Sequence, residues 1–288
     1  YAAMTELFFD TKGTAFSVEN LHESLLQVGA ADCETLFIHS DIMFGTPAKG
    51  FRRTELLEAL YQAIVSLNVP NVIIPAFTYS FCNHEDYDVL NSKTSMGSFN
   101  EYYRKKENRY RTHDPLLSLS VPEKLRPLFE SVVEHSLGVG SGLDIVHHMK
   151  DVKFLFLGAD VGNCFTYVHY VEKILDVPYR FDMPFEGKII DENGNVSQKT
   201  QYIHTQCAGV QLPERCDYFE KDLLTKGKLQ QCQYGDKFIS CISEKDAYEE
   251  IVRNIEKNKF YYLAKPYRDE DLIHQYTYDW TKSRITHC

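Results

Sequence analysis

KFLFLGADVGNCFTYVHYVEKILDVPYR, residues 153–180, is the stretch whose reading decides the fold. Its apolar run Phe154-Leu155-Phe156-Leu157 stops at Gly158, the pattern of a buried strand that ends in a turn. A short polar loop, Ala159 to Cys164, separates it from a helical-looking segment, Thr166 to Lys173. Thr166, His169 and Glu172 recur at every third position, a spacing that stacks them on one helix face. That face lies near the carboxyl edge of the strand, where open α/β sheets bind ligands. A hydroxyl, an imidazole that titrates near neutrality and a carboxylate able to orient it make a proton-handling set. The same spacing also suits a helix cap and a solvated face. The strand, glycine stop and short loop before it favour catalysis.

The flanking chain supplies further strands and helices. Ser17 to Val28 reads as a helix, begun at Ser17 or Asn20 and stopped at Gly29. Thr35 to His39 reads as a buried strand, and Ser40 just past its end suits either a ligand or a turn hydrogen bond. Thr54 caps an expected helix through Leu67, and Asn71 to Pro75 forms the next strand. Thr94 or Ser95 is the expected cap of a helix whose free N–H groups would suit a phosphate or carbonyl, or would be an ordinary N-cap. The basic run from Arg104 to Arg111 reads as a solvated face, and Thr112 to Val121 as a turn leading into another strand. Gly138 to Gly142 is a glycine-rich turn without the lysine of a phosphate loop, placed before a helix over Asp144 to Met149. His147 and His148 are adjacent and point apart, so they make no metal pair. After Arg180 comes a hairpin, Phe185–Ile190 and Val196–His204, turned at Asn193-Gly194. A helix over Asp217–Lys226, a strand over Gly235–Ile242, a helix over Glu244–Asn258 and an aromatic, polar tail complete the chain.

With 288 residues, 43% of them apolar, the chain can bury one large core or two smaller ones. A formal net charge of −10 argues against nucleic acid or an anionic membrane as the main partner. No apolar run approaches the ~20 residues of a membrane span. Tyr1 to Met4 reads as a short remnant ahead of a natural start at Met4, not as a signal peptide. The 8 cysteines are scattered without a CxxC pair, which suits reduced thiols in the cytoplasm. Cys164 is weighed as a nucleophile and set aside, because its flanks match no cysteine enzyme.

Taken in order, several short segments resemble the aminoglycoside 3-N-acetyltransferase family. They are Leu36-Phe37-Ile38-His39-Ser40, Val72 to Thr78, Ser95-Met96-Gly97, Arg111 to Ser118, Gly138 to Ser141, and Leu155 to Gly158 leading to Thr166 through Glu172. The resemblance implies a three-layer α/β/α fold with a mostly parallel central sheet and a smaller β-rich subregion on the acceptor side. It places one acetyltransferase domain over residues 1–288: a CoA-binding and catalytic core at 17–180, the β-rich part at 181–260 and a tail at 261–288. It implies acetyl transfer from acetyl-CoA to an amine, with His169 as general base and Glu172 beside it in the acceptor site. Ser40, Thr78, Met96, Gly97, Arg111 and Ser118 would line the CoA side, Arg111 facing a phosphate. Thr166 is a candidate donor to the developing oxyanion, and no metal is needed. One departure stands out: the family carries His-Pro where this chain has Asp114-Pro115. That carboxylate would pair with His169 or meet a cationic acceptor. The acceptor expected first is an amine on a nucleotide-linked sugar of surface-polysaccharide assembly, with an aminoglycoside second. A non-catalytic sugar-binding protein and a CoA thioesterase are the readings from other classes. A homo-oligomer is compatible with this reading.

Overall fold

The structure, a computed structural model, describes residues 5–131 and 133–286. The expected start at Met4 and the last two positions of the tail, His287 and Cys288, lie outside the described residues. The chain begins with β1 (Glu6–Phe9), β2 (Ala15–Ser17), α1 (Val18–Gln27), β3 (Thr35–Ser40), β4 (Thr46–Pro47), α2 (Arg53–Val65) and β5 (Asn71–Pro75). It continues through β6 (Tyr87–Asp88), α3 (Ser98–Arg104), β7 (Arg109–Arg111), β8 (Leu119–Pro122), α4 (Arg126–Phe129), α5 (Gly142–His148) and β9 (Val152–Leu157). Then come α6 (Val161–Cys164), α7 (Tyr167–Ile174), β10 (Arg180–Ile190), β11 (Val196–Gln206), α8 (Asp217–Thr225), β12 (Gln230–Tyr234), β13 (Lys237–Ser243) and α9 (Glu244–Lys257).

The central sheet runs β12-β13-β9-β3-β5-β8-β7. Its middle, β9-β3-β5, is parallel, and antiparallel strands extend it on both sides. Alternation along the central strands makes two apolar faces. Leu36, Ile38, Val72, Ile74, Leu155 and Leu157 pack with residues of α1, α2 and α3. Phe37, Ile73, Phe154 and Phe156 pack with residues of α5, α7 and α9. Those two cores give the expected α/β/α layering. Smaller sheets, β2-β1-β4 and β11-β10-β6, stand apart from the central one.

This strand order also fixes where a ligand would sit. From β3 the chain steps to β5 on one side and later returns to β9 on the other, so the connections diverge between the carboxyl ends of β3 and β9. Such a switch point leaves a crevice at the strand ends. Gly158, with φ +78°, closes that end of β9; a Cβ there would come 2.2 Å from the Asp41 carbonyl oxygen. Only glycine lets the two strand ends approach so closely.

Local signals were read well where side chains cap. Ser17 and Asn20 form a full capping box on α1, Ser17 Oγ accepting from the Asn20 N–H at 3.1 Å. Elsewhere the starts differ from expectation. Arg52, not Thr54, is the N-cap of α2. Gly97 caps α3, because the Thr94 and Ser95 hydroxyls both donate to the Phe77 carbonyl instead. The loop expected from Ala159 to Cys164 holds the short helix α6. The hairpin is longer than read and starts at Arg180, while the edge strand β12, rich in glutamine, went unread.

Candidate active site

Two clefts open at the carboxyl ends of β3, β5 and β9. The first, about 720 Å³, is lined by Ser40, Met96, Gly97, Arg52, Arg53 and Cys164 among others. The second, about 620 Å³, is lined by His169, Glu172, Arg180, Glu214, Arg215 and Tyr278 among others. Tyr79, Asn163 and Thr166 line both, so the two clefts meet at those three residues.

Helix α7 carries the proton-handling set into the second cleft. Thr166 is its N-cap, and its hydroxyl makes no hydrogen bond among the described residues, which leaves it open at the junction. His169 Nδ1 lies 2.6 Å from Glu172 Oε1. A carboxylate accepts only, so Nδ1 carries the proton and Nε2 is the ring's basic nitrogen. Glu172 is 1% exposed. Burial alone would raise its carboxyl, but the Arg180 guanidinium and the His169 hydrogen bond outweigh it and hold it at about 2. Arg180 Nε stands 3.2 Å from Glu172 Oε1, paired by charge, and Nη1 donates to the His204 carbonyl at 3.1 Å. In this geometry a buried anion orients the imidazole, and a buried guanidinium fixes the anion.

On the first cleft the sequence expectations divide. Ser40, Met96 and Gly97 line it, and Ser40 Oγ donates to Asn100 Oδ1 at 2.7 Å. Thr78, Arg111 and Ser118 do not. Thr78 Oγ1 donates to the Pro115 carbonyl, and Ser118 Oγ to the Ala76 carbonyl. The buried Arg111 spends its guanidinium on Ser118 Oγ and the carbonyls of Ala76, Val89 and Ser92, so it cannot reach a phosphate. Arg109 of the same basic run is likewise engaged with backbone carbonyls, and Lys106 pairs with Glu58 at the surface. The cations at the cleft are Arg52 and Arg53, at the amino end of α2, a pair the sequence reading passed over. Asp114 also lies elsewhere: its Oδ1 accepts from the Leu116 and Leu117 N–H groups and from Ser136 Oγ, and it lines a separate small cavity. It shapes a turn and faces neither His169 nor the second cleft.

Cys164 lines the first cleft, but burial raises its thiol, which disfavours a thiolate nucleophile. His147 Nδ1 meets Glu244 at 2.6 Å and His148 Nδ1 meets the Asp144 carbonyl at 2.8 Å; the rings do not point apart as expected but pack edge to face, 4.9 Å between centroids. No cluster suited to a metal ion occurs among the described residues, nor any helix long and apolar enough to cross a membrane.

Two histidines beside the site bear on stability. Burial lowers His39, stacked on Phe156, to about 3. Burial, then the nearby Arg180 charge, lowers His204 to about 4. Both stay neutral in the folded chain over a range where unfolded imidazoles bind protons. Stability is therefore full above about pH 6.5 and is lost as pH falls from there toward the folded values. By about pH 5 each costs about 2 kcal/mol. Thermal midpoints measured from pH 7.5 to 5 should fall accordingly, and the His39→Gln variant should flatten the curve; a wild-type midpoint constant over that range contradicts this.

The sequence profile of the family described as aminoglycoside 3-N-acetyltransferase matches residues 56–256. No curated protein sequence matches the chain significantly. Among solved structures, the fold is similar to apo aminoglycoside acetyltransferase AAC(3)-IVa, with TM-score 0.65, 18% identity, and coverage of 87% of this chain and 92% of that one. It is similar to the YokD protein from Bacillus subtilis at TM-score 0.66 and 16% identity, covering 88% and 96%. It is also similar to AAC-IIIb solved as a binary complex with CoASH, at TM-score 0.66 and 18% identity, covering 87% and 98%.

Proposed function

Since the chain belongs to the aminoglycoside 3-N-acetyltransferase family, and is thus an acetyl-CoA-dependent N-acetyltransferase, we propose that it acetylates the amine of an amino sugar, foremost a nucleotide-linked one, with His169 as base. The observation that carries this reading is the meeting of two clefts at Thr166, next to a buried-carboxylate-oriented imidazole. Direct transfer in a ternary complex needs a donor site and an acceptor site that open onto one another. Acetyl-CoA supplies an activated acetyl thioester. The first cleft suits it in size, and Arg53 offers a cation for its phosphates beside Arg52, which is paired with Glu55, with Ser40, Met96 and Gly97 along the wall. In the second cleft His169 Nε2 takes the proton from the attacking amine, the amine nitrogen bonds to the acetyl carbon, and the carbon–sulfur bond breaks to release CoA thiolate, which regains a proton as free CoA thiol. Thr166 donates to the carbonyl oxygen as it gains charge. Glu172 keeps the imidazole in register, and we assign the whole chain to one working domain.

Charge around the second cleft supports the choice of acceptor. Its carboxylates are Glu172 and Glu214, and its guanidiniums are Arg180 and Arg215. Glu172 is already balanced by Arg180, and Arg215 by Asp160 and Asp217. A polycation needs several uncompensated carboxylates, whereas a sugar with one amine needs only one, a place Glu214 can fill. The aminoglycoside reading is favoured by a different observation: AAC(3)-IVa, a protein of similar fold, is solved in complex with a gentamicin.

A panel separates the two. Purified protein, acetyl-CoA and either nucleotide amino sugars, free amino sugars or aminoglycosides are combined, and acetylated products are read by mass spectrometry. Acetylation of a nucleotide amino sugar at well above the aminoglycoside rate is expected. Preference for an aminoglycoside would overturn the acceptor assignment while leaving the chemistry in place.

A further inference from the structure

We propose that Tyr79 is a positioning residue for acetyl transfer, its ring setting the angle at which the two clefts meet, and that Asn83 holds it there by joining it to the C-terminal tail. The inference rests on the acyl-transfer reading and adds to it a residue outside the proton-handling set. Tyr79 is 4% exposed and lines both clefts. Its backbone has φ +51°, a left-handed conformation that a bulky side chain rarely adopts. Strain of this kind persists where the surroundings over-determine it, and it gathers at functional sites.

Here the surroundings can be named. The Tyr79 N–H donates to the Leu116 carbonyl at 3.1 Å, and that turn is shaped by Asp114. The Tyr79 carbonyl accepts from both the backbone N–H of Asn83 at 3.1 Å and its Nδ2 at 3.0 Å. The same Asn83 side chain pairs with the tail: Nδ2 donates to the Ile285 carbonyl at 2.8 Å, and Oδ1 accepts from the Ile285 N–H at 2.6 Å. Arg284 adds an ion pair to Glu85. The tail so pinned returns to the site, with Tyr278 in the wall of the second cleft and Thr286 in the wall of the first. One amide therefore holds both the strained tyrosine at the junction and the segment that contributes to the walls of both clefts. Asn83 itself lines neither cleft, so it acts only through what it holds.

The arrangement makes a demand on kinetics that mere packing does not. A misplacement of about 1 Å between reacting groups can cost about 100-fold in rate without changing ground-state binding. The experiment compares wild type with Y79F, Y79G and N83A, using the best acceptor of the panel. It reads turnover, acetyl-CoA affinity, thermal midpoint and the ratio of amine acetylated to acetyl-CoA consumed. Y79F keeps the ring and should stay within about 3-fold of wild type. Y79G should lose about 100-fold in turnover, with acetyl-CoA affinity retained and some thioester lost to water. N83A should move in the same direction by about 10-fold, and it keeps the test open if Y79G does not fold. Wild-type turnover in N83A, or in a folded Y79G, overturns the inference. So does a parallel loss of acetyl-CoA affinity and thermal midpoint that accounts for the lost turnover. A wild type that acetylates no amine at all would overturn this inference together with the functional reading. An active wild type with equally active variants would overturn this inference alone.

Discussion

Replacing His169 by alanine should lower acetyl transfer by about 10²- to 10⁴-fold while acetyl-CoA binding is unchanged. The split follows from position. His169 lines the second cleft and not the first, so its loss removes a proton acceptor without touching the donor surface. The imidazole is one-third exposed at the cleft wall and tied to Glu172 behind it, so truncation leaves little buried surface uncovered. Turnover and acetyl-CoA affinity measured on the same preparation check this. Turnover near the wild-type level would remove His169 from the mechanism, and a matching loss of acetyl-CoA affinity would make its role structural.

Replacing Glu172 by alanine should do a different kind of damage. It deletes the carboxylate that pairs with Arg180, which is 4% exposed. Breaking one side of a buried pair costs about 3–5 kcal/mol, chiefly from the charge left behind. The denaturation midpoint should drop sharply and activity should fall with it, because His169 loses its orienting partner. The paired variant E172M/R180M should recover much of the stability and none of the activity. A Glu172→Ala protein with wild-type stability would contradict the account of the pair. The pH sense is fixed as well. A carboxyl held at about 2 in the folded chain contributes stability that is present above the unfolded value near 4.5 and lost as pH falls from there through 2.

How much of this was legible in the sequence varies by residue. The strand, the glycine stop and the trio on α7 were legible because each rests on local pattern: an apolar run, a conformational stop, a helical repeat. Ser40, Met96 and Gly97 line the first cleft. Thr78, Arg111 and Ser118 do not, because sequence order tells that a segment approaches a strand end but not which way its side chains face. Arg111 shows the reason: next to a β-edge rich in carbonyls, its guanidinium satisfies backbone acceptors that would otherwise be buried without donors. Arg180 was visible only as the end of the opening stretch. Its pairing with Glu172 depends on how the turn between α7 and β10 delivers the first residue of β10, a contact no local pattern encodes. Tyr79 and Asn83 belong to the same class. A positive φ and a clamp joining residues 83 and 285 arise from tertiary packing and leave no spacing signature. Asp114, the departure from the family pattern, is accounted for by the turn it caps.

The most direct test of the central claim is thiol release from acetyl-CoA by the purified protein, with and without an amino-sugar acceptor. Release that requires the acceptor and matches the acetylated amine mole for mole is the predicted result. Equal release without acceptor would make the enzyme a thioesterase, and no release with any amine would contradict acetyl transfer altogether.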